Sequence, residues 1–208
     1  MRISVCGKVL LASVFAAAST GLWAQALKAP AFIDVSVTYA AERAQIAPGN
    51  CGCFWLQGGG ADVALTFWKG FGAAASLTGD HISNYSPGLD INKIAYLGGP
   101  RFTHTVWTGG AGSGKRPRLQ IFGEALFGGV HAFSGAFPSS AGTTATANSF
   151  ALQAGGGINL FFSRSIAVRL LEADYVRTQL PNNYSQSQND LRVAFGVNYH
   201  FGSASPVR

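Results

Sequence analysis

The chain carries a pattern of period two. Ile33, Val35, Val37 and Tyr39 alternate with Asp34, Ser36 and Thr38; Val63, Leu65 and Phe67 alternate with Asp62, Ala64 and Thr66. Phe71, Ala73, Ala75 and Leu77 alternate with Gly72, Ala74, Ser76 and Thr78. The clearest case runs from Leu191 through Val193, Phe195, Val197 and Tyr199 to Phe201, interleaved with Arg192, Ala194, Gly196, Asn198 and His200. Successive side chains of a strand point to opposite faces, so each segment reads as a strand with one apolar and one polar side. Eight such segments are predicted, at 31–40, 58–69, 71–80, 93–106, 118–131, 149–161, 166–178 and 190–201. Long polar or Gly/Ser/Asn-rich connections at 41–57, 81–92, 132–148 and 179–189 alternate with short turns near Lys69-Gly70 and Phe162–Ser165 and a Gly-rich one at 107–117.

The polar face decides what surrounds these strands. It carries Gly, Ala, Ser, Thr and Asn with isolated charges at Asp34, Asp62, Arg101, Glu124, Arg169 and Arg192. A water-facing sheet surface normally carries many more Lys and Glu. A narrow lumen wants small side chains and a few charges of both signs that pair across it. Aromatic residues near strand ends (Tyr39, Trp68, Phe71, Trp107, Phe162, Tyr175, Tyr199, Phe201) suit girdles at two membrane interfaces. Hydrocarbon offers no partner to an open sheet edge, so the sheet must close. The expectation is an all-β fold: an eight-stranded, antiparallel, up-and-down transmembrane β-barrel with both ends on the periplasmic side.

Composition agrees. Of 208 residues, 27 are Gly, 12% are charged and 48% are hydrophobic. This excludes a disordered chain, which needs the reverse balance, and a coiled coil, which needs abundant Glu, Lys and Arg. The first residues form a secretory signal: basic Arg2 and Lys8, apolar Val9–Ala18, and the cleavage-site triplet Ala24-Gln25-Ala26. Residues 1–26 are thus expected to be removed, leaving 27–208 as one barrel domain. The formal charge falls from +6 to +4 once Arg2 and Lys8 leave. Lys115, Arg116 and Arg118 form the one dense basic cluster, too small for a nucleic-acid footprint.

At this point the residues resemble a known class, the small eight-stranded outer-membrane β-barrels of diderm bacteria, of the outer-membrane-protein β-barrel domain family with its OmpA-like transmembrane barrels. The resemblance covers 31–201. It rests on Gly98-Gly99-Pro100-Arg101-Phe102, Gly123-Glu124-Ala125-Leu126-Phe127-Gly128, the run from Arg169 through Glu172 to Asp174-Tyr175, and Gly196-x-x-Tyr199-x-Phe201. The last, with Gly196, Tyr199 and Phe201, is similar to the C-terminal signal read by the barrel assembly machinery, although Ala194 replaces a usual polar residue and Gly202–Arg208 follow Phe201. The resemblance implies an outer-membrane location and contact with outer-membrane lipids and lipopolysaccharide, in a chain expected to be a monomer. Family members serve as anchors, adhesins or narrow pores, and fold alone does not choose among them.

Candidate chemistry is sparse. Cys51 and Cys53 of Cys51-Gly52-Cys53, in an exported chain, fit a local disulfide better than a redox or metal loop, because no His or acid stands near them in their loop. The run Gly109–Arg116 nearly spells a phosphate-binding loop, but Arg116 stands where Ser or Thr should hold the metal and a strand follows where a helix should begin. His81, His104, His131 and His200 are dispersed without metal-ligand spacing, and no nucleophile motif stands out. No cofactor is therefore expected, and the protein reads as non-enzymatic. A lipid-modifying enzyme of lipase or deacylase type on the same barrel is the alternative. The expected site is a lumen charge network of Asp34, Asp62, Arg101, Glu124, Arg169, Glu172 and Arg192, plugging the barrel rather than forming an ion path. Strict alternation would put Glu172 and Asp174 on the face opposite Arg169, in lipid. A β-bulge at Leu170–Leu171 is predicted to return them to the lumen.

Overall fold

The structure, a computed structural model, describes residues 32–45, 53–86, 89–109, 117–139, 142–181 and 187–202. Eight strands follow one another: β1 (Phe32–Gln45), β2 (Cys53–Trp68), β3 (Phe71–Ser86), β4 (Leu89–Thr108), β5 (Arg118–Ser139), β6 (Gly142–Phe161), β7 (Ile166–Thr178) and β8 (Gln188–Phe201). Each pairs antiparallel with its neighbours, and β1 pairs with β8, so the sheet closes as a barrel. No strand of the closed sheet is left as an edge strand, which is what hydrocarbon demands.

The two faces are inverted relative to a water-soluble protein. Val37 (59% exposed), Leu77, Tyr96, Phe127, Phe195 and Val197 look outward. Asp34, Asp62, Arg101, Arg169, Glu172, Asp174 and Arg192 are buried. Aromatic side chains stand outward at both ends of the apolar band. Trp68, Phe71, Trp107, Phe162, Tyr199 and Phe201 lie on the side where β1 begins and β8 ends, and Tyr39, Trp55, Tyr96 and Tyr175 toward the other. Their apolar rings and polar tips suit a lipid–water boundary.

The tight turn between β2 and β3 is made by Lys69 (φ 45°) and Gly70 (φ 92°). Positive φ at both central residues is the type I′ geometry that matches the twist of paired strands, and glycine takes it without a Cβ clash. Gly70 also accepts a 2.8 Å bond from the Thr103 amide, fastening the turn to β4.

The strands run further than alternation predicts on the side away from the start of β1 and the end of β8. Positions 41–45, 53–57, 81–86, 89–92, 132–139, 142–148 and 188–189, read from the sequence as connections, are strand. Beyond the membrane both faces of a strand meet water, so the apolar face that marks it in sequence disappears while the ladder continues. Cys51 lies outside the described residues, and Cys53 opens β2 opposite Gln45. Residues 1–26 and the glycine-rich 110–116 also lie outside them.

Strand β7 departs from alternation where the charges require it. Leu170 and Leu171 both point outward, at 49% and 46% exposed, while Arg169 before them and Glu172 after them are buried. Against β8 the register passes from Arg169↔Gly196 to Glu172↔Ala194; against β6 it passes from Asn159↔Arg169 to Ile158↔Leu171. One extra residue in β7 is a β-bulge, and it turns Glu172 and Asp174 inward.

Candidate functional site

The interior is a charge network in three tiers. The residues that build it stand on inward positions of all eight strands. In the lowest tier, near the start of β1 and the end of β8, His200 Nδ1 lies 2.8 Å from Asp34 Oδ1. The imidazole is flanked by Phe32 at 4.7 Å and Phe161 at 5.7 Å. The Arg118 guanidinium caps Phe161 at 4.0 Å.

The middle tier is centred on Arg169, which is 1% exposed. Its Nη1 donates to Asp62 Oδ2 at 2.9 Å and to Glu172 Oε2 at 2.5 Å, and its Nη2 donates to Ser36 Oγ at 2.6 Å. Its Nε reaches Asn159, which in turn bonds Gln120. Arg101 donates to Asp62 at 3.0 Å. Arg192 donates to Glu172 at 2.9 Å and to Asp174 at 3.2 Å, and Gln153 adds a 3.1 Å bond to Asp174. The Phe122 ring lies between two guanidiniums, 3.8 Å from Arg101 and 4.7 Å from Arg169. Such stacking satisfies the flat faces of guanidiniums whose edges are already bonded. Burying ions without partners costs several kcal/mol each, so this mutual pairing is what makes the lumen tenable.

The upper tier pairs Lys93 with Glu42, and Asp80 lies 3.9 Å from the same ammonium. Apolar residues complete the filling: Leu97, Leu126, Val130 and Ala151 pack together inside the barrel. A cavity bordered by Glu42, Lys93, Arg192 and Leu97 has a volume of about 10 Å³, room for one water molecule.

The structure thus brings Asp62, Arg101, Glu124, Arg169, Glu172 and Arg192 together, with Asp34 one tier below beside His200. It adds Glu42, Asp80, Lys93 and His200 to the lumen residues singled out in sequence, and it places Asp174 inward after the bulge. Three of these could have been found by extending strand parity. Glu42 continues the series Asp34, Ser36, Thr38, Ala40; Asp80 continues Ala74, Ser76, Thr78; Lys93 precedes Ala95 and Leu97. In β8, Gly196 faces Thr38 and Arg169 in register, while Tyr199 and Phe201 project outward beside each other with rings 4.4 Å apart.

An eight-stranded closed barrel with a lipid-facing exterior and a filled, charged interior defines the class: a small transmembrane β-barrel. No protein-family profile and no curated protein matches the sequence. Solved structures do. Neisserial surface protein A is similar over 81% of this chain and 97% of its own, at 12% identity and a TM-score of 0.52. Ail of Yersinia pestis matches at 15% identity over 82% of this chain and 98% of its own, TM-score 0.47. The N-terminal β-barrel domain of OprF from Pseudomonas aeruginosa matches at 14% identity over 81% and 97%, TM-score 0.41. The likeness to Neisserial surface protein A speaks for the fold, that of the small eight-stranded outer-membrane barrels.

Proposed function

We propose that this protein is a non-enzymatic outer-membrane barrel, closed to bulk solute, that anchors an exposed strand surface on the cell exterior. The observation that supports this reading is the inside-out burial. The outward face suits lipid, and the lumen is filled by paired charges and apolar side chains, with a water-sized cavity beside Glu42 and Lys93. Eight strands leave an interior just wide enough for side chains to fill.

Phe32 and Phe201, the first and last strand residues, lie at one rim, which this reading places in the periplasm after removal of residues 1–26. The C-terminal set Gly196, Tyr199 and Phe201 would engage the barrel assembly machinery, and the outward belts would contact outer-membrane lipids and lipopolysaccharide. On the opposite side the β5–β6 hairpin reaches furthest. Residues 132–150 carry no Asp, Glu, Lys or Arg, so recognition there would rest on backbone, hydroxyl and aromatic groups. The lipid-modifying alternative gains no support from His200. Its Nε2 has no hydrogen-bond partner among the described residues, so no serine is held on it.

Planar-bilayer recording tests the closed reading. The purified barrel and its Arg101→Ala variant should both be silent. Discrete ohmic steps in the unaltered protein would refute it and favour a narrow pore.

A further inference from the structure

Four carboxylates meet in the middle tier and three guanidiniums face them: Asp62, Glu124, Glu172 and Asp174 against Arg101, Arg169 and Arg192. Arg101 and Arg169 both hydrogen-bond Asp62, and Arg192 bonds Glu172 and Asp174. Glu124 is left over. Its side chain is 4% exposed, Arg101 Nη1 stands 3.4 Å from Oε2, and Oε2 has no hydrogen-bond partner. Asp174 is similarly incomplete: Oδ2 is bonded by Gln153 and Arg192, while the buried Oδ1 has no partner.

The register explains why these oxygens converge. Glu124, Gly155 and Asp174 lie in one row across β5, β6 and β7, and the adjacent inward row is Phe122, Gly157 and Glu172. Strand β6 is bare at both rows; Asp174 lies over Gly155 and the Phe122 ring over Gly157. A Cβ at Gly155 would press on Asp174 Oδ1, which means the space exists only because residue 155 lacks a side chain. One oxygen from each of Glu124, Glu172 and Asp174 falls within 4.8 Å of the other two. Three oxygens that close together can share one hard cation, whose oxygen ligands stand at about 2.1–2.4 Å.

We propose that the lumen binds one hard divalent cation between Glu124, Glu172 and Asp174, over Gly155. The three ligand groups are carboxylates, which select hard cations over zinc or copper. The middle tier is one positive charge short. The upper tier is also acid-rich, with Glu42, Asp80 and Asp190 inside against Lys93. The second charge of a divalent ion is therefore absorbed within the same lumen. The bound ion would tie β5 to β7 across the bare stretch of β6. The adjacent arginines oppose it and hold the affinity to a moderate level.

The test uses the full barrel refolded in detergent without lipopolysaccharide, which would itself bind calcium. Equilibrium dialysis against radiolabelled Ca²⁺, with Tb³⁺ luminescence as a second readout, should give one ion per barrel. Glu124→Gln, Asp174→Asn and Gly155→Ala should each weaken binding at least tenfold. Asp90→Asn, an acid exposed at the start of β4, should leave it unchanged. Glu124→Gln removes no hydrogen bond recorded for Oε2, so it decides the matter even if Asp174→Asn does not fold. Absence of stoichiometric binding, or equal binding in Glu124→Gln, would overturn the proposal.

Discussion

Arg169→Met should be among the most damaging single changes in this barrel. It replaces a guanidinium that is 1% exposed with an apolar chain of similar length, so packing is largely kept and charge is lost. The bonds to Asp62, Glu172, Ser36 and Asn159 go with it. Removing one partner of a buried ion pair costs about 3–5 kcal/mol, because the other charge stays behind. Here each orphaned acid keeps a second cation: Asp62 retains Arg101, and Glu172 retains Arg192. The expected loss therefore sits near the lower end, about 3 kcal/mol. Arg169→Lys keeps the charge but not the fork that reaches three strands at once, and should fall between the two. The assay is reversible urea unfolding of the barrel in detergent micelles or lipid vesicles, followed by tryptophan fluorescence and by heat-modifiable gel migration. A double-mutant cycle with Asp62→Asn isolates the pair. Direct contact predicts a coupling of about 0.5–3 kcal/mol, with the double variant less unstable than the sum of the singles. Strict additivity, or a loss below about 1 kcal/mol in Arg169→Met, would mean the lumen is wet enough to screen these charges, and the dry-plug reasoning would fail.

Further outcomes follow from the same structure. Deleting Leu170 removes the extra residue of β7 and restores strict alternation with Arg169, Glu172 and Asp174 all inward, so the variant should still yield the compact, heat-modifiable form. Val37→Arg places a charge in the middle of the outward apolar band of β1, which should cost about 2–4 kcal/mol and lower refolding yield into vesicles. Gly70→Ala puts a Cβ at φ 92°, and the urea midpoint should fall by the equivalent of about 1–3 kcal/mol. Lys69→Gly, at the neighbouring position, should be tolerated.

The barrel was legible because its outer face is simple. Residues such as Val37, Leu77 and Val197 meet only lipid, and their period survives any detail of packing. Strand ends were not legible. Past Ala40 in β1 or Thr78 in β3 the outward residues become Arg43 and His81, which look like loop residues while remaining in the ladder. Glu42 was missed for that reason, while Asp80 and Lys93 stand at the last and first positions of their expected strands. The lumen was legible in kind but not in partnership. Which of two acids receives a given guanidinium depends on strand stagger and side-chain reach, and neither is written in alternation. Leu97, Leu126 and Val130 were invisible as lumen filling because an apolar side chain on an inward position looks like a break in the pattern. A dry interior accepts it at no cost. The doubled leucine at 170–171 shows the opposite case. There the conflict between parity and charge was itself the signal, and a bulge is the one local device that resolves it.

The span of chain between lumen partners has a consequence for how the molecule is made. Ser36 and Arg169 are 133 residues apart, Asp62 and Arg169 are 107 apart, and Asp34 and His200 are 166 apart. These partners sit on the first two and last two strands, so they cannot meet until β8 reaches β1. Until then the acids and arginines need water, and a half-formed sheet cannot take them into hydrocarbon. Closure, charge neutralisation and loss of water therefore form a single late step, with the slow kinetics that distant contacts impose. A nascent chain cut before β8 would be not a smaller barrel but a sheet with nowhere to put its charges.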